Sequence, residues 1–230
     1  SGNFEKDKII SEVKSNKLIN NLKPRKEKIN INHYKNQIKE KLDKPAEVKE
    51  KMEITQGKLV IGLDILPNDM GDYRFAAIIY NSIFGDGVNS KLFQIVREKE
   101  SLAYTARSNY ISQKNNIFIR CGIEFEKYDK TLKLIEELLK EMREGNFTGE
   151  DIKKAKEYIQ AGINGIEAEQ DTQIIYLFGQ ELSKLPLSIE EYQRNIEKVT
   201  KEEIIKLAKS IQINTIYFLE NGGKNANNWK

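Results

Sequence analysis

The sequence predicts an α+β fold, an α/β sandwich with a mostly antiparallel sheet and helices packed on one face, and three observations lead there. Strand-like segments arrive in pairs, at 48–54 with 57–66 and at about 103–111 with 117–125. Short polar or glycine-containing turns separate the members of each pair, as in hairpins. Between and after the pairs come segments with apolar residues at helical spacing. Hairpin-joined strands argue against a doubly wound parallel sheet, and grouped helices suit a single covering layer.

Each element has its own signature. Ile9, Ile10, Val13 and Leu18 space a weakly amphipathic helix over residues 4–18, which Asn20-Asn21 and Pro24 end. Residues 20–45 are polar and Lys-rich, a linker with one short helix near 33–42. The expected organisation is therefore a basic helical extension over 1–45 and one domain over 46–230. In the second strand Leu59, Ile61, Leu63 and Ile65 share a face, and Gln56-Gly57 reads as the turn before it. Phe75, Ile79 and Ile83 mark a helix over 69–84, stopped by Gly85-Asp86-Gly87. Asn89-Ser90 caps a short helix to about 98. Lys114-Asn115-Asn116 turns the second hairpin. Tyr128, Leu132, Ile135, Leu139 and Met142 repeat at helical spacing until Gly145-Asn146. Further helices are expected at 148–166 and 171–185, then after the capping boxes Ser188/Glu191 and Thr200/Glu203. An apolar strand at 214–219 closes the domain.

Composition narrows the function. Residues 1–51 carry 14 Lys/Arg against 8 Asp/Glu, a net of +6, while the other 179 carry 24 against 27, a net of -3. The acids are interleaved with the bases in the basic segment, which reads as a solvated Lys-rich surface rather than a nucleic-acid-binding one. No apolar run nears the roughly 20 residues of a membrane span. The N-terminus has no apolar signal region, and Ser1-Gly2 resembles a scar of tag removal. Cys121 is the single cysteine and His33 the single histidine, 88 residues apart. A reducing, cytoplasmic setting is expected. Cys121 alternates with Ile117, Ile119, Ile123 and Phe125, which places it inside a strand and away from nucleophilic chemistry. A zinc hydrolase needs about three protein ligands and an open position, which one His and one Cys do not supply. No metal site is expected in this chain.

Few motifs remain. Gly85-Asp86-Gly87-Val88-Asn89-Ser90-Lys91 lacks the Gly-Lys-Ser/Thr order of a phosphate loop and joins two helices. Asp69, Asp72, Asp86, Glu98 and Glu100 have no ligand-loop spacing and read as a solvated rim. The stretch from Leu92 to Ser108 differs. Arg97 falls near a helix end and Tyr104 near the next strand's start, so a short turn brings a planar fork of donors close to a phenol. Such a pair suits a peptide carbonyl or its oxyanion. It equally suits a surface ion pair of Arg97 with Glu98 or Glu100 and a tyrosine packed on the sheet. On chemistry alone the second reading is the more economical.

Ser90-Lys91-Leu92-Phe93, Val96-Arg97-Glu98-Lys99 and Ser101-Leu102-Ala103-Tyr104 closely resemble the C-terminal, noncatalytic half of the M16 (insulinase, pitrilysin and processing-peptidase) family of zinc peptidases. Gln56-Gly57-Lys58-Leu59, Gly122-Ile123 and Lys153-Lys154-Ala155-Lys156 match as well, over roughly residues 46–220. The small paired bacterial members are the most similar. The resemblance implies a clam-shell of two like halves, one carrying His-x-x-Glu-His and zinc. It implies that Arg97 and Tyr104 contact the substrate near the scissile bond, and that the substrate is a peptide held as an added strand. This chain has no His-x-x-Glu-His, so zinc is expected in a partner half, on the same polypeptide or a second subunit. The expectation is a substrate-binding half, inactive alone, of a processing-type metallopeptidase. The alternative is an inactive scaffold subunit with this fold and no peptidase partner.

Overall fold

The structure, a computed structural model, describes residues 5–22, 39–66, 71–112, 114–183 and 187–223. The chain divides into two compact units, 1–37 and 38–230. In the first, the described residues form α1 (Lys6–Ser15) and α2 (Lys17–Asn20). The single helix expected over 4–18 is interrupted at Asn16, whose backbone is extended and whose side chain accepts a 2.9 Å bond from the Leu18 N–H. An Asn side chain competes with the helix for its own backbone and so starts a new one. The helix expected near 33–42 lies outside the described residues at 33–38, and 39–42 are not helical.

The second unit holds a five-stranded sheet in the order β1-β5-β2-β4-β3, with β1 at Ala46–Met52, β2 at Gly57–Ile65, β3 at Ala103–Ile111, β4 at Asn116–Ile123 and β5 at Ile211–Asn221. Every pairing is antiparallel except that of β1 with β5. The helices are α3 (Arg74–Phe84), α4 (Tyr128–Glu144), α5 (Gly149–Ala168), α6 (Gln170–Ser183), α7 (Ile189–Lys198) and α8 (Lys201–Lys209), with a π-helix over Leu92–Lys99. Residues of α3, α4 and α8 join the inward side chains of β2, β4 and β5 in one core. The opposite sheet face presents Lys58, Thr105, Arg107 and Arg120 to solvent. This is the expected one-sided α+β architecture.

The expected β1–β2 hairpin does not form. β5 lies between the two strands, pairing in parallel with β1 and antiparallel with β2. The reason is burial. β1 reads Ala-Glu-Val-Lys-Glu-Lys-Met and is exposed almost throughout, which suits an edge, whereas β5 buries Ile211, Ile216 and Phe218 and needs neighbours on both sides. Gly57, which suggested a turn, serves a close approach instead. A Cβ there would lie 2.9 Å from Phe218 Cε2 and 3.2 Å from the Ile123 carbonyl.

The second hairpin forms as expected between β3 and β4, with Asn115 at positive φ in the turn. Local chemistry also fixes the helix ends. Gly145 sits at φ 77 and lets Asn146 N–H close on the Glu141 carbonyl at 2.9 Å, ending α4. Thr148 with Asp151, Ser188 with Glu191 and Thr200 with Glu203 all form reciprocal capping boxes.

At one end of the sheet Asp64 is buried and fully used. It accepts from Asn116 Nδ2 at 2.6 Å and Asn214 Nδ2 at 2.7 Å, and pairs with Lys39 Nζ at 3.0 Å. Lys39 also donates to the Asn115 carbonyl, and Gln212 bonds both Glu40 O and Leu42 N–H, so residues 39–42 are stitched to this unit. Burial lowers the Lys39 pKa, with the Asp64 bond opposing.

Cys121 is 3 % exposed, between inward Ile119 and Ile123, and burial pushes its thiol up to about 12. Since the thiolate is the reactive form, iodoacetamide should label the native protein at least about 100-fold more slowly than the urea-unfolded chain at neutral pH. Equal labelling rates by mass spectrometry would contradict this burial.

Candidate functional site

The site begins with an unusual helix. Over Leu92–Lys99 the backbone winds with i→i+5 bonds, ending with Glu100 N–H on the Ile95 carbonyl at 2.9 Å. Such wide turns concentrate at functional positions. Leu92 and Val96 are buried, and Lys91 Nζ anchors the helix start to Glu141 of α4 at 2.7 Å. This geometry leaves Arg97 on the outer side, with its guanidinium 4.6 Å above the Phe93 ring.

The chain then reverses in two residues. Ser101 takes φ 49, a left-handed conformation that costs a non-glycine residue about 1–3 kcal/mol. Its surroundings offset that cost. Lys127 Nζ, held at 2.9 Å by Glu124, donates to the Ser101 carbonyl at 3.1 Å. Leu102 N–H closes on the Val96 carbonyl at 2.9 Å while the Leu102 side chain is buried. The result delivers the chain into β3 immediately before Tyr104.

Tyr104 is a bulge. Ala103 pairs with Ile123 and Thr105 with Gly122, so no β4 residue stands opposite Tyr104. Alternation breaks there: Ala103 and Ala106 point inward while both Tyr104 and Thr105 are exposed. A bulge re-aims a side chain, and this one leaves the phenol 60 % exposed. Thr105 Oγ1 braces it by accepting the Gly122 N–H at 3.1 Å. A Cβ on Gly122 would lie 3.0 Å from that hydroxyl and 2.9 Å from Gln56 Oε1, so any larger residue would press on the brace.

Arg97 and Tyr104 therefore line one open cavity of about 290 Å³, with Glu98, Ser101, Glu124 and Lys127 around it. The structure does bring together the two residues that the sequence singled out. Arg97 has the ion pair that the simpler reading required, to Glu98 at 3.5 Å, but it is 42 % exposed and monodentate. Such pairs contribute about 0–1 kcal/mol. Among the described residues the remaining donors of the fork have no acceptor. Tyr104 does not pack on the sheet as that reading supposed.

The acids near this region separate into pairs. Asp72 holds Arg74 at 2.6 Å, Glu100 pairs with Lys130 at 3.6 Å, and Asp86 is hydrogen-bonded to Tyr158. Burial raises the Asp86 pKa, against the lowering effect of the Tyr158 bond and of Arg107. Asp69 and His33 lie outside the described residues. Among the described residues no group of three or more His, Cys, Asp or Glu could hold a metal ion. With Cys121 enclosed in the sheet and these acids engaged elsewhere, the donors among the described residues do not fit zinc.

Gly85-Asp86-Gly87 is a joint between α3 and the π-helix, as its sequence indicated, and it also reaches the site. The Gly85 carbonyl accepts the Ser108 N–H at 2.7 Å, closing the outer edge of β3, and Ser108 Oγ donates to Asn81 Oδ1 at 2.7 Å. The sequence reading missed this clasp, the π-helix and the bulge. Only the bulge had a signal, the outward pair Tyr104-Thr105 between two alanines.

Residues 1–159 match the profile of the peptidase M16 inactive domain. The chain belongs to the M16 peptidase family. A Bacillus subtilis protein named "Probable inactive metalloprotease YmfF" is 38 % identical over 181 residues, which are 76 % of this chain and 41 % of that protein. A second B. subtilis relative, "Uncharacterized zinc protease YmxG", is 27 % identical over 53 % of this chain and 31 % of its own length. Among solved structures, a conserved protein from Enterococcus faecalis V583 superposes with a TM-score of 0.73 at 28 % identity, covering 81 % of this chain and 44 % of that one. The inactive peptidase domain of a putative zinc protease from Bordetella parapertussis shares the fold at a TM-score of 0.59 and 13 % identity, covering 75 % and 98 %. The chain thus spans under half the length of the curated relatives. It is an M16 inactive-type domain, and its five-stranded sheet and helices match the fold of that family.

Proposed function

We propose that this M16 domain is the substrate-binding, noncatalytic half of a processing-type peptidase, in which Arg97 and Tyr104 hold the peptide carbonyl at the scissile bond. The observation that carries this reading is the pair of backbone irregularities, the left-handed Ser101 and the bulged Tyr104, that turn both side chains into one open cavity. Guanidinium and phenol there can donate to one carbonyl oxygen and more strongly to the oxyanion it becomes. The water-activating zinc belongs to the His-x-x-Glu-His half. Reconstitution tests the reading: with that half, this chain should raise peptide cleavage from background, and neither alone should cleave. Full activity of the other half alone would overturn it.

Pairing has support in α6, which is inside out. Its inner side uses Thr172, whose hydroxyl donates to the Glu169 carbonyl at 2.7 Å, and Tyr176, which donates to the Leu187 carbonyl at 3.1 Å. Its apolar residues Ile174, Ile175, Leu177 and Phe178 are 62–71 % exposed. An apolar patch of this kind marks a contact surface, and the occupant we assign is the other M16 half, because relatives carry more than twice the matched length. Ile174→Ser with Phe178→Ser should weaken association with that half at least about 30-fold, from the apolar area no longer buried. The variant's own Tm should stay within a few degrees. Unchanged association by calorimetry would remove α6 from the interface.

The YmfF relative, named a probable inactive metalloprotease, favours a second reading, a partner-binding scaffold without turnover. It predicts association through α6 and peptide binding, with no cleavage by the pair.

A further inference from the structure

We infer that Arg107 and Arg120 form a carboxylate-reading pair that selects an acidic side chain in the bound peptide, two or three residues from the one held by Arg97 and Tyr104. The inference rests on the peptide-binding reading above and adds the chemistry of what is bound. Arg107 on β3 and Arg120 on β4 are register partners. Both are exposed, on the sheet face that no helix covers among the described residues. Like charges directly opposite each other on one face destabilise a sheet. The row gives them no relief, since Val60 and Tyr217 continue it across β2 and β5.

Other groups around the pair leave its charge largely available. Arg120 Nη1 donates to the neutral Asn109 Oδ1 at 3.3 Å, which orients the guanidinium without neutralising it. Asp86 faces Arg107 from the clasp turn, yet no ion pair forms within 4.0 Å, and among the described residues neither arginine has one. Glu50, across the sheet, is held by the Tyr217 hydroxyl at 2.7 Å. Lys58, one row away on the same face, adds a further positive charge.

Position ties the pair to the cavity. β3 is an edge strand, paired among the described residues with β4 alone, and the Gly85 carbonyl blocks its outer edge at Ser108. A peptide laid beside β3 at Tyr104 therefore has the stretch 103–107 to pair with. At about 3.3 Å per residue, Arg107 stands roughly 10 Å along from Tyr104. Side chains of an added strand alternate between faces, so one of them meets the arginines on the open face. A carboxylate fits two adjacent guanidiniums, which are fork donors. The outward row of the segment is thus a charge reader placed beyond the carbonyl-holding pair.

The test is fluorescence anisotropy of the purified chain with three labelled peptide series, scanning Glu, Gln or Lys through an otherwise fixed sequence. Glu at one position should bind about tenfold tighter than Lys there, an advantage that shrinks as salt screens exposed charges. Arg107→Gln with Arg120→Gln should bring the Glu-to-Lys ratio near one and leave the Gln peptide's affinity unchanged. A ratio that persists in the double variant overturns the inference and leaves the peptide-binding reading standing. Loss of the Gln peptide in Arg97→Ala but not in the double variant supports both readings. Failure of every peptide to bind overturns both. Displacement of the Glu peptide by a single-stranded DNA oligonucleotide as readily as by an unlabelled Glu peptide overturns the peptide assignment of the pair.

Discussion

Arg97→Ala, in the protein assembled with its His-x-x-Glu-His half, is expected to lower kcat/KM by about 100-fold or more, the loss typical of one oxyanion donor. Tyr104→Phe removes a single O–H and should cost about tenfold. Arg97→Lys is the more informative variant. It keeps the charge and loses the planar fork, so recovery should be partial if two donors converge on one oxygen. Stability gives the control. Among the described residues Arg97 is bound only by the exposed Glu98 pair and its stacking on Phe93, so each variant's Tm should stay within a few degrees of wild type. Unchanged kcat/KM in both Arg97→Ala and Tyr104→Phe would return the two residues to the surface roles that their chemistry alone first suggested.

Gly85→Ala is expected to destabilise the fold strongly. A Cβ there would meet Ser108 Oγ first, and would stand 2.6 Å from Leu92 Cδ1 and 2.8 Å from Ser108 Cβ. Both neighbours are fully enclosed, at 0 % and 1 % exposed. Overpacking of this kind costs about 1–3 kcal/mol. Moving Ser108 also breaks its buried bond to Asn81, stranding an amide oxygen for about 1–3 kcal/mol more. At about 2–4 °C per kcal/mol for a chain of this size, Tm should fall by roughly 4–24 °C. Ser108→Ala in the Gly85→Ala background removes the closest obstruction and should recover part of the loss. A Gly85→Ala protein as stable as wild type would mean the clasp is not the close contact described.

The residues that encode their own local structure were legible in the sequence. Thr148, Ser188 and Thr200 each cap a helix within three residues, and Gly145 ends α4 by adopting a conformation that other residues resist. The alternation in β2 and β4 announced which face is buried, Cys121 included. Partner choice was not legible. Gln56-Gly57 looks like a hairpin turn because nothing nearby shows that β5, some 150 residues later, will take the place between β1 and β2. β5 wins that place through its longer apolar run, and Gly57 is required under Phe218 instead.

The candidate site was half legible. Residue types and spacing named Arg97 and Tyr104, and the family resemblance assigned them a task, but neither supplied the means of convergence. That depends on a π-helix whose apolar spacing passes for ordinary helix, and on a serine at positive φ stabilised by Lys127 from a later element. The bulge at Tyr104 was visible in principle, as two adjacent residues that cannot both face the core. The acids around the site read as a loose rim, and they resolve into separate pairs with Arg74, Lys130 and Tyr158.

The most direct test is binding without chemistry. The assembled protein, stripped of metal by a chelator, is titrated with a labelled peptide, and wild type is compared with the Arg97→Ala, Tyr104→Phe double variant. Two lost donors, one of them charged, should weaken the peptide Kd by about 10- to 100-fold, whether or not the parent protein turns over substrate. An unchanged Kd would contradict the claim that this noncatalytic half holds the peptide through that cavity.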